Sequence, residues 1–169
     1  MRWLLIVCML IIAGGCQRKP PADENRRVAT VWRIIDGDTV EMLDGQTVDL
    51  AFIDAPEINQ PYGVESTFAL AQILRPGDAV LIETIYGGKI PEVVLYHEQM
   101  EINYLMVRGG HAWHCIKGRQ LSCWWDLQSR SDAERYTNAE LNALRDRLGL
   151  WRGQNQTPPW EWREKNKSE

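Results

Sequence analysis

Positive charge is scarce in this chain: 19 Lys and Arg stand against 23 Asp and Glu, a formal net charge of −4. That balance excludes a protein whose whole surface attracts polyanions, so any such contact must be local. Long apolar runs are lacking too. The longest, Trp3 to Gly15, falls short of the roughly 20 residues a membrane-spanning helix needs. No segment repeats at a fixed period, which excludes a solenoid or propeller. Hydrophobic residues at 44% and charged residues at 25% exclude a disordered chain and a polytopic membrane protein, leaving one globular domain with appendages.

Arg2 ahead of the Trp3–Gly15 run, with small residues closing it, has the pattern of an export signal. Ala13-Gly14-Gly15-Cys16 resembles the lipobox of bacterial lipoproteins, which would make Cys16 the lipidated first residue of the mature chain. The expected location is then a lipid-anchored position on the periplasmic or outer face of a membrane, with a soluble exported protein as the alternative. Cys8 would leave with the signal, so only Cys115 and Cys123 remain. In an oxidising compartment they can bridge. The other option is a metal pair with His111 or His114, although the Cys115–Cys123 separation is not that of a zinc knuckle.

Residues 17–27 are polar, charged and Pro-containing and read as a tether; the domain is expected over 28–163, with a tail at 164–169. Val28–Ile35, Val40–Leu43 and Thr47–Ile53 read as strands, with Asp44-Gly45 as a hairpin turn. Tyr62–Leu74 reads as a helix with Phe68, Ala71 and Leu74 on one stripe, stopped by Pro76-Gly77. Strands follow at Ala79–Ile85 and Pro91–Tyr96. A second helix carries Ile102, Leu105 and Met106 and ends at Gly109-Gly110, and a third opens on a Ser131–Glu134 capping box and ends at Gly149. The stretch Gln154–Glu169 has no helical stripe and is expected to lie across the surface. The fold class is α+β, mainly β: five strands, with a helix after the third and about three helices in all, fit a small closed Greek-key barrel.

Two acidic motifs dominate, Asp36-Gly37-Asp38-Thr39 and Ile53-Asp54-Ala55-Pro56-Glu57. Singly each is a turn former or strand stop. Together with Tyr62-Gly63-Val64-Glu65, Glu101-Ile102-Asn103, Val107-Arg108-Gly109-Gly110, Gly149-Leu150-Trp151 and Pro158-Pro159-Trp160-Glu161-Trp162-Arg163, in that order, they resemble the staphylococcal-nuclease-like (thermonuclease) family. The resemblance implies an OB-type five-stranded barrel, calcium as cofactor and hydrolysis of phosphodiester bonds in DNA or RNA.

The residue types suit that chemistry. Cleaving a phosphodiester needs a hard cation against the charge that builds on the phosphate oxygens. Asp38 and Asp54 are the natural ligands, the Ala55 carbonyl can add an oxygen, Asp36 falls in the outer shell, and Glu57 stands where a general base accepts a proton from water.

Two family arginines are missing. Asp49 stands where one is expected before the second acidic motif. Ile90 or Lys89 occupies the place of the other, in Tyr86-Gly87-Gly88-Lys89-Ile90. Lys89 is the candidate phosphate contact that remains, without arginine's planar fork. Losing a donor that meets developing charge typically costs a factor of about 10²–10³. A catalytically inactive envelope lipoprotein that binds nucleic acid or a protein partner is therefore the alternative to an endonuclease acting on single-stranded DNA or RNA. Trp113, Trp124, Trp125, Trp151, Trp160 and Trp162 are read first as packing and second as base-stacking surfaces.

Overall fold

The computed structural model describes residues 25–116, 124–154 and 156–167. The signal and lipobox reading of 1–16, including Cys16, lies outside these residues, as does Cys123. Among the described residues no helix is long and apolar enough to cross a membrane.

Alternation of side chains builds the sheet. β1 (Arg26–Ile34) begins inside the expected tether, with Arg26 paired to Glu83 and Arg27 to Ile82 across the ladder. β2 (Thr39–Met42) turns Val40 and Met42 inward, and β3 (Thr47–Leu50) does the same with Val48 and Leu50. Gly45 at φ 83° makes the turn between them, and the Asp44 carboxylate accepts from Gln46 N at 3.0 Å. After the two-residue β4 (Ile53–Asp54) comes α1 (Gly63–Ile73), then β5 (Ala79–Tyr86), β6 (Glu92–His97) and the short β7 (Met100–Glu101).

The six-stranded sheet runs β3-β2-β1-β5-β6-β7, and β3 also pairs with β6 in parallel. That pairing closes five strands into the expected barrel, with β7 appended to β6 and removing part of its edge. α2 (Ile102–Arg108) covers one end. Its Asn103 is fully buried and donates through Nδ2 to Ala51 O and Val93 O, both at 2.9 Å, while Oδ1 accepts from Leu95 N at 3.0 Å. One side chain thus staples the closing seam to the helix. β8 (Trp113–His114) pairs with β4, α3 (Arg130–Arg145) packs on α2, and α4 (Pro159–Asn166) ends the described chain.

Other details also differ from the sequence expectation, beginning with the strand expected over Thr47–Ile53, which breaks into β3 and β4. Phe68 on α1 is 64% exposed, and the buried face is Gly63, Ser66 and Leu70, followed by Leu74; spacing alone did not distinguish two faces of a helix that are both partly apolar. α3 is capped by Ser129, whose side chain accepts from Asp132 N, instead of by the Ser131–Glu134 pair, and it stops at Arg145 before a 3-10 turn over Gly149–Arg152. The tail is a fourth helix, with Pro159 in its first turn, where the missing N–H costs nothing.

Candidate active site

The two acidic motifs meet at one opening of the barrel. Asp36 Oδ1 accepts from Asp38 N at 3.1 Å and Thr39 N at 2.8 Å, so this carboxylate holds its own turn together. Asp38 points across to the second motif, where Oδ2 accepts from Ala55 N at 2.5 Å. Backbone locks the same junction: Leu50 N donates to Asp38 O at 2.8 Å. Between β3 and β4 the chain turns through Phe52 at φ 69°, a conformation that sets Ile53 and Asp54 against His114 and Trp113.

Gly37 and Gly63 permit the close approach. A Cβ on Gly37 would meet Ser66 Oγ at 2.1 Å and Ala55 Cβ at 2.7 Å, and one on Gly63 would meet Glu57 O at 1.8 Å. Glu57 is further held by its N–H, which donates to Gln60 Oε1 at 3.2 Å.

A cleft of about 300 Å³ opens there, lined by Asp36, Asp38, Thr39, Asp49, Leu50, Ile53, Asp54, Glu57, Glu92 and Arg163. Six of these carry carboxylates and one carries a positive charge. The crowding appears in the proton affinities. Burial, then the Asp36 and Asp54 charges, push the Asp38 carboxyl well above the ordinary range. Burial likewise raises Asp49, although the Thr39 hydroxyl donating to it at 2.9 Å opposes the shift. Glu92 is pushed up to about 7, by burial first and then by Asp49 and Asp54.

Arg163 is the cation. Its guanidinium reaches from α4 to Asp54, Nη1 to Oδ1 at 3.1 Å and Nη2 to Oδ2 at 2.8 Å, and Nη1 also donates to Glu57 Oε1 at 2.6 Å. Sequence reasoning placed Arg163 in a terminal motif without giving it a role. The signal that could have found it is Pro158-Pro159, which announces a helix start just before the arginine. In sequence, Glu92 is one polar residue in a mostly apolar strand, and nothing local marks it as part of the cleft.

The structure thus gathers Asp36, Asp38, Asp54 and Glu57 at one cleft, with the Ala55 backbone against Asp38. Lys89 lies in an exposed bend and is not among the lining residues. Among the described residues no trio of Asp, Glu, His or Cys side chains converges tightly enough to hold a metal ion by itself; the expected ligand set has only two carboxylates and a carbonyl. The histidines serve the fold. His114 is buried between Gln128, at 2.9 Å, and Thr137, at 3.2 Å, and His111 pairs with Tyr62 OH at 3.0 Å. Cys115 is disulfide-bonded. Trp113 is buried, edge-on to Trp151 and Trp160, while Trp124 stacks on Tyr86 with ring centroids 3.5 Å apart.

A closed five-stranded barrel whose mouth gathers acids from two adjoining turns has the makings of a small hydrolase of anionic substrates. Residues 47–153 match the model of the staphylococcal nuclease homologues, and the chain belongs to that family. It is 34% identical over 152 residues to a micrococcal nuclease of Shigella flexneri, covering 82% of this chain and 81% of that one. It is 30% identical over 140 residues to an uncharacterized endonuclease of Escherichia coli, covering 79% and 82%. A third relative, an uncharacterized endonuclease of Haemophilus influenzae, is 28% identical over 176 aligned positions, covering 98% and 88%. By this membership the protein is a nuclease by resemblance, a phosphodiester hydrolase.

Proposed function

We propose that the chain is a calcium-dependent endonuclease that cleaves single-stranded DNA or RNA, exported and held to a membrane by a lipid on Cys16. The observation that carries the reading is the junction of Asp38 with the second acidic motif, through Ala55 N–H, in a cleft where six carboxylates face one cation. Such a surplus of negative charge fits a hard divalent cation, which carboxylate and carbonyl oxygens bind best. Asp38, Asp54 and the Ala55 carbonyl would hold it, with Asp36 outside them bracing the turn. Bound there, calcium would supply charge stabilisation at the phosphate oxygens.

The remaining steps belong to the chain. Glu57 accepts the proton of a water as its oxygen bonds to phosphorus, and the bond from phosphorus to the leaving oxygen breaks as that oxygen takes a proton from solvent water. One Glu57 oxygen is engaged by Arg163, which leaves the other for the proton. A flexible single strand can present one phosphate to the metal, which is why this reading assigns it as the substrate.

The competing reading is a barrel that binds nucleic acid or an envelope protein without cutting, favoured by Asp49 and Ile90 at the places of the family arginines. Full-length chain in detergent, incubated with labelled single-stranded DNA or RNA in calcium and then in chelator, separates the two. Calcium-dependent fragments that disappear with Glu57→Gln support the enzyme; equal products from both proteins sink it. For the anchor, wild type is expected in the detergent phase on phase separation and Cys16→Ser in the aqueous phase; identical partitioning removes the lipid.

A further inference from the structure

We infer that Arg163, carried by the C-terminal helix, is the phosphate-binding residue of this site; the inference rests on the nuclease reading for the identity of the phosphate. It is the one cation among the described residues lining the cleft. A phosphodiester entering between six carboxylates needs a positive side chain as well as a metal, or its own charge is repelled.

The position of Arg163 is built. Trp160, three residues earlier on α4, packs edge-on against Trp113 at 6.3 Å, and Trp113 pairs with Asp54 in the β4–β8 ladder. Ahead of the helix, Gln60 Nε2 donates to Thr157 O at 2.6 Å, and Gln60 also holds Glu57. The start of α4 is therefore fastened to both ends of the Asp54–Glu57 motif, which sets the arginine beside both acids.

Its donor count leaves room for a ligand. A guanidinium has five N–H groups in a planar fork. Three are directed at Asp54 and Glu57, so Nε–H and one Nη2–H remain, on a side chain 37% exposed. A divalent cation sharing Asp54 would weaken the hold of that carboxylate on the guanidinium, because one negative charge would then serve two positive neighbours. The freed donors meet phosphate oxygens beside the acid and the base. A guanidinium thus returns to the site from the opposite end of the chain to the position now held by Asp49.

The test uses full-length protein in detergent with calcium and two readouts. Thymidine 5′-phosphate, which has no diester to cleave, reports phosphate binding by calorimetry, and a labelled single strand reports kcat and KM. Arg163→Gln is expected to weaken mononucleotide binding about tenfold or more and to lower kcat about 10²–10³-fold. Arg163→Lys, which keeps the charge and supports the fold, should recover only a small part of the rate because it lacks the fork. Added guanidinium should partly rescue Arg163→Ala. Thermal unfolding of each variant identifies any that fail to fold, and Arg163→Lys carries the decision for those. The inference is overturned if Arg163→Gln and Arg163→Lys bind the mononucleotide as wild type does, whether their turnover is normal, raised by removal of an inhibitory cap, or lowered through the fold alone. If wild type binds the mononucleotide through Arg163 yet cuts nothing beyond the Glu57→Gln background, the nuclease reading fails and the phosphate contact stands.

Discussion

Asp49 on β3 lies beside Glu92 on β6, partners in the parallel register that closes the barrel. Two carboxylates thus flank the seam at the mouth of the cleft, and the Thr39 hydroxyl binds one of them at 2.9 Å.

The pair makes stability depend on pH. Glu92, pushed up to about 7 in the fold from an ordinary 4.5, stays protonated there while the unfolded chain ionises. Stability attributable to it therefore falls as pH rises from about 4.5 to 7 and is level above. Glu92→Gln is expected to match wild type near pH 4 and to exceed it at pH 8 by roughly 1–3 kcal/mol, a figure reduced for residual contact with water. Urea unfolding in chelator across that range measures it; a constant difference between the proteins would refute the assignment.

Asp49→Arg should raise the cleavage rate, because it places a fork-shaped donor on the cleft wall. Glu92 stands against it, so the gain from the single change should be small and that from Asp49→Arg with Glu92→Gln about tenfold larger. Steady-state kcat for the two variants decides; no increase in either means that this wall is not a phosphate surface.

Gly37→Ala tests the joint between the motifs. The added methyl has Ser66 Oγ at 2.1 Å and Ala55 Cβ at 2.7 Å in its way, so the first acidic turn must back away and the Asp38–Ala55 bond must open. We expect a loss of about 1–3 kcal/mol in stability, typical of overpacking. Cleavage should fall at least about 100-fold, since a misplaced carboxylate costs on that scale. A variant with normal turnover would show that the joint is not needed for the chemistry.

Asn103→Leu removes the staple at the seam. Ala51 O and Leu95 N–H then lose the Asn103 contact, while Val93 O keeps the Ala51 N–H at 2.8 Å; the cost is about 1–3 kcal/mol for each group that loses a partner, partly offset by the apolar side chain. A net loss of about 2 kcal/mol or more is expected in urea unfolding, with nuclease activity declining in parallel as β3 and β6 separate. A change below 1 kcal/mol would mean that water satisfies those groups.

Local chemistry accounts for what could be read early. Strand alternation, the Asp44-Gly45 turn and two acidic turns are encoded within a few residues of each other, and these placed the five barrel strands and the acids Asp36, Asp38, Asp54 and Glu57. The same local signals misassigned the buried face of α1, because Phe68 and Leu70 are both apolar and only packing chooses between them. They also left the tail as coil, since α4 takes its position from contacts with Trp113 and the Asp54–Glu57 motif more than from a stripe of its own.

The sequence by itself determined the barrel strands and the acids Asp36, Asp38, Asp54 and Glu57 of the site, because turns and alternation are short-range. Tertiary structure decided the cationic half. Arg163 meets Asp54 across 109 positions of chain, and Glu92 joins Asp49 only through barrel closure; no periodicity carries a contact that depends on where two distant elements come to rest.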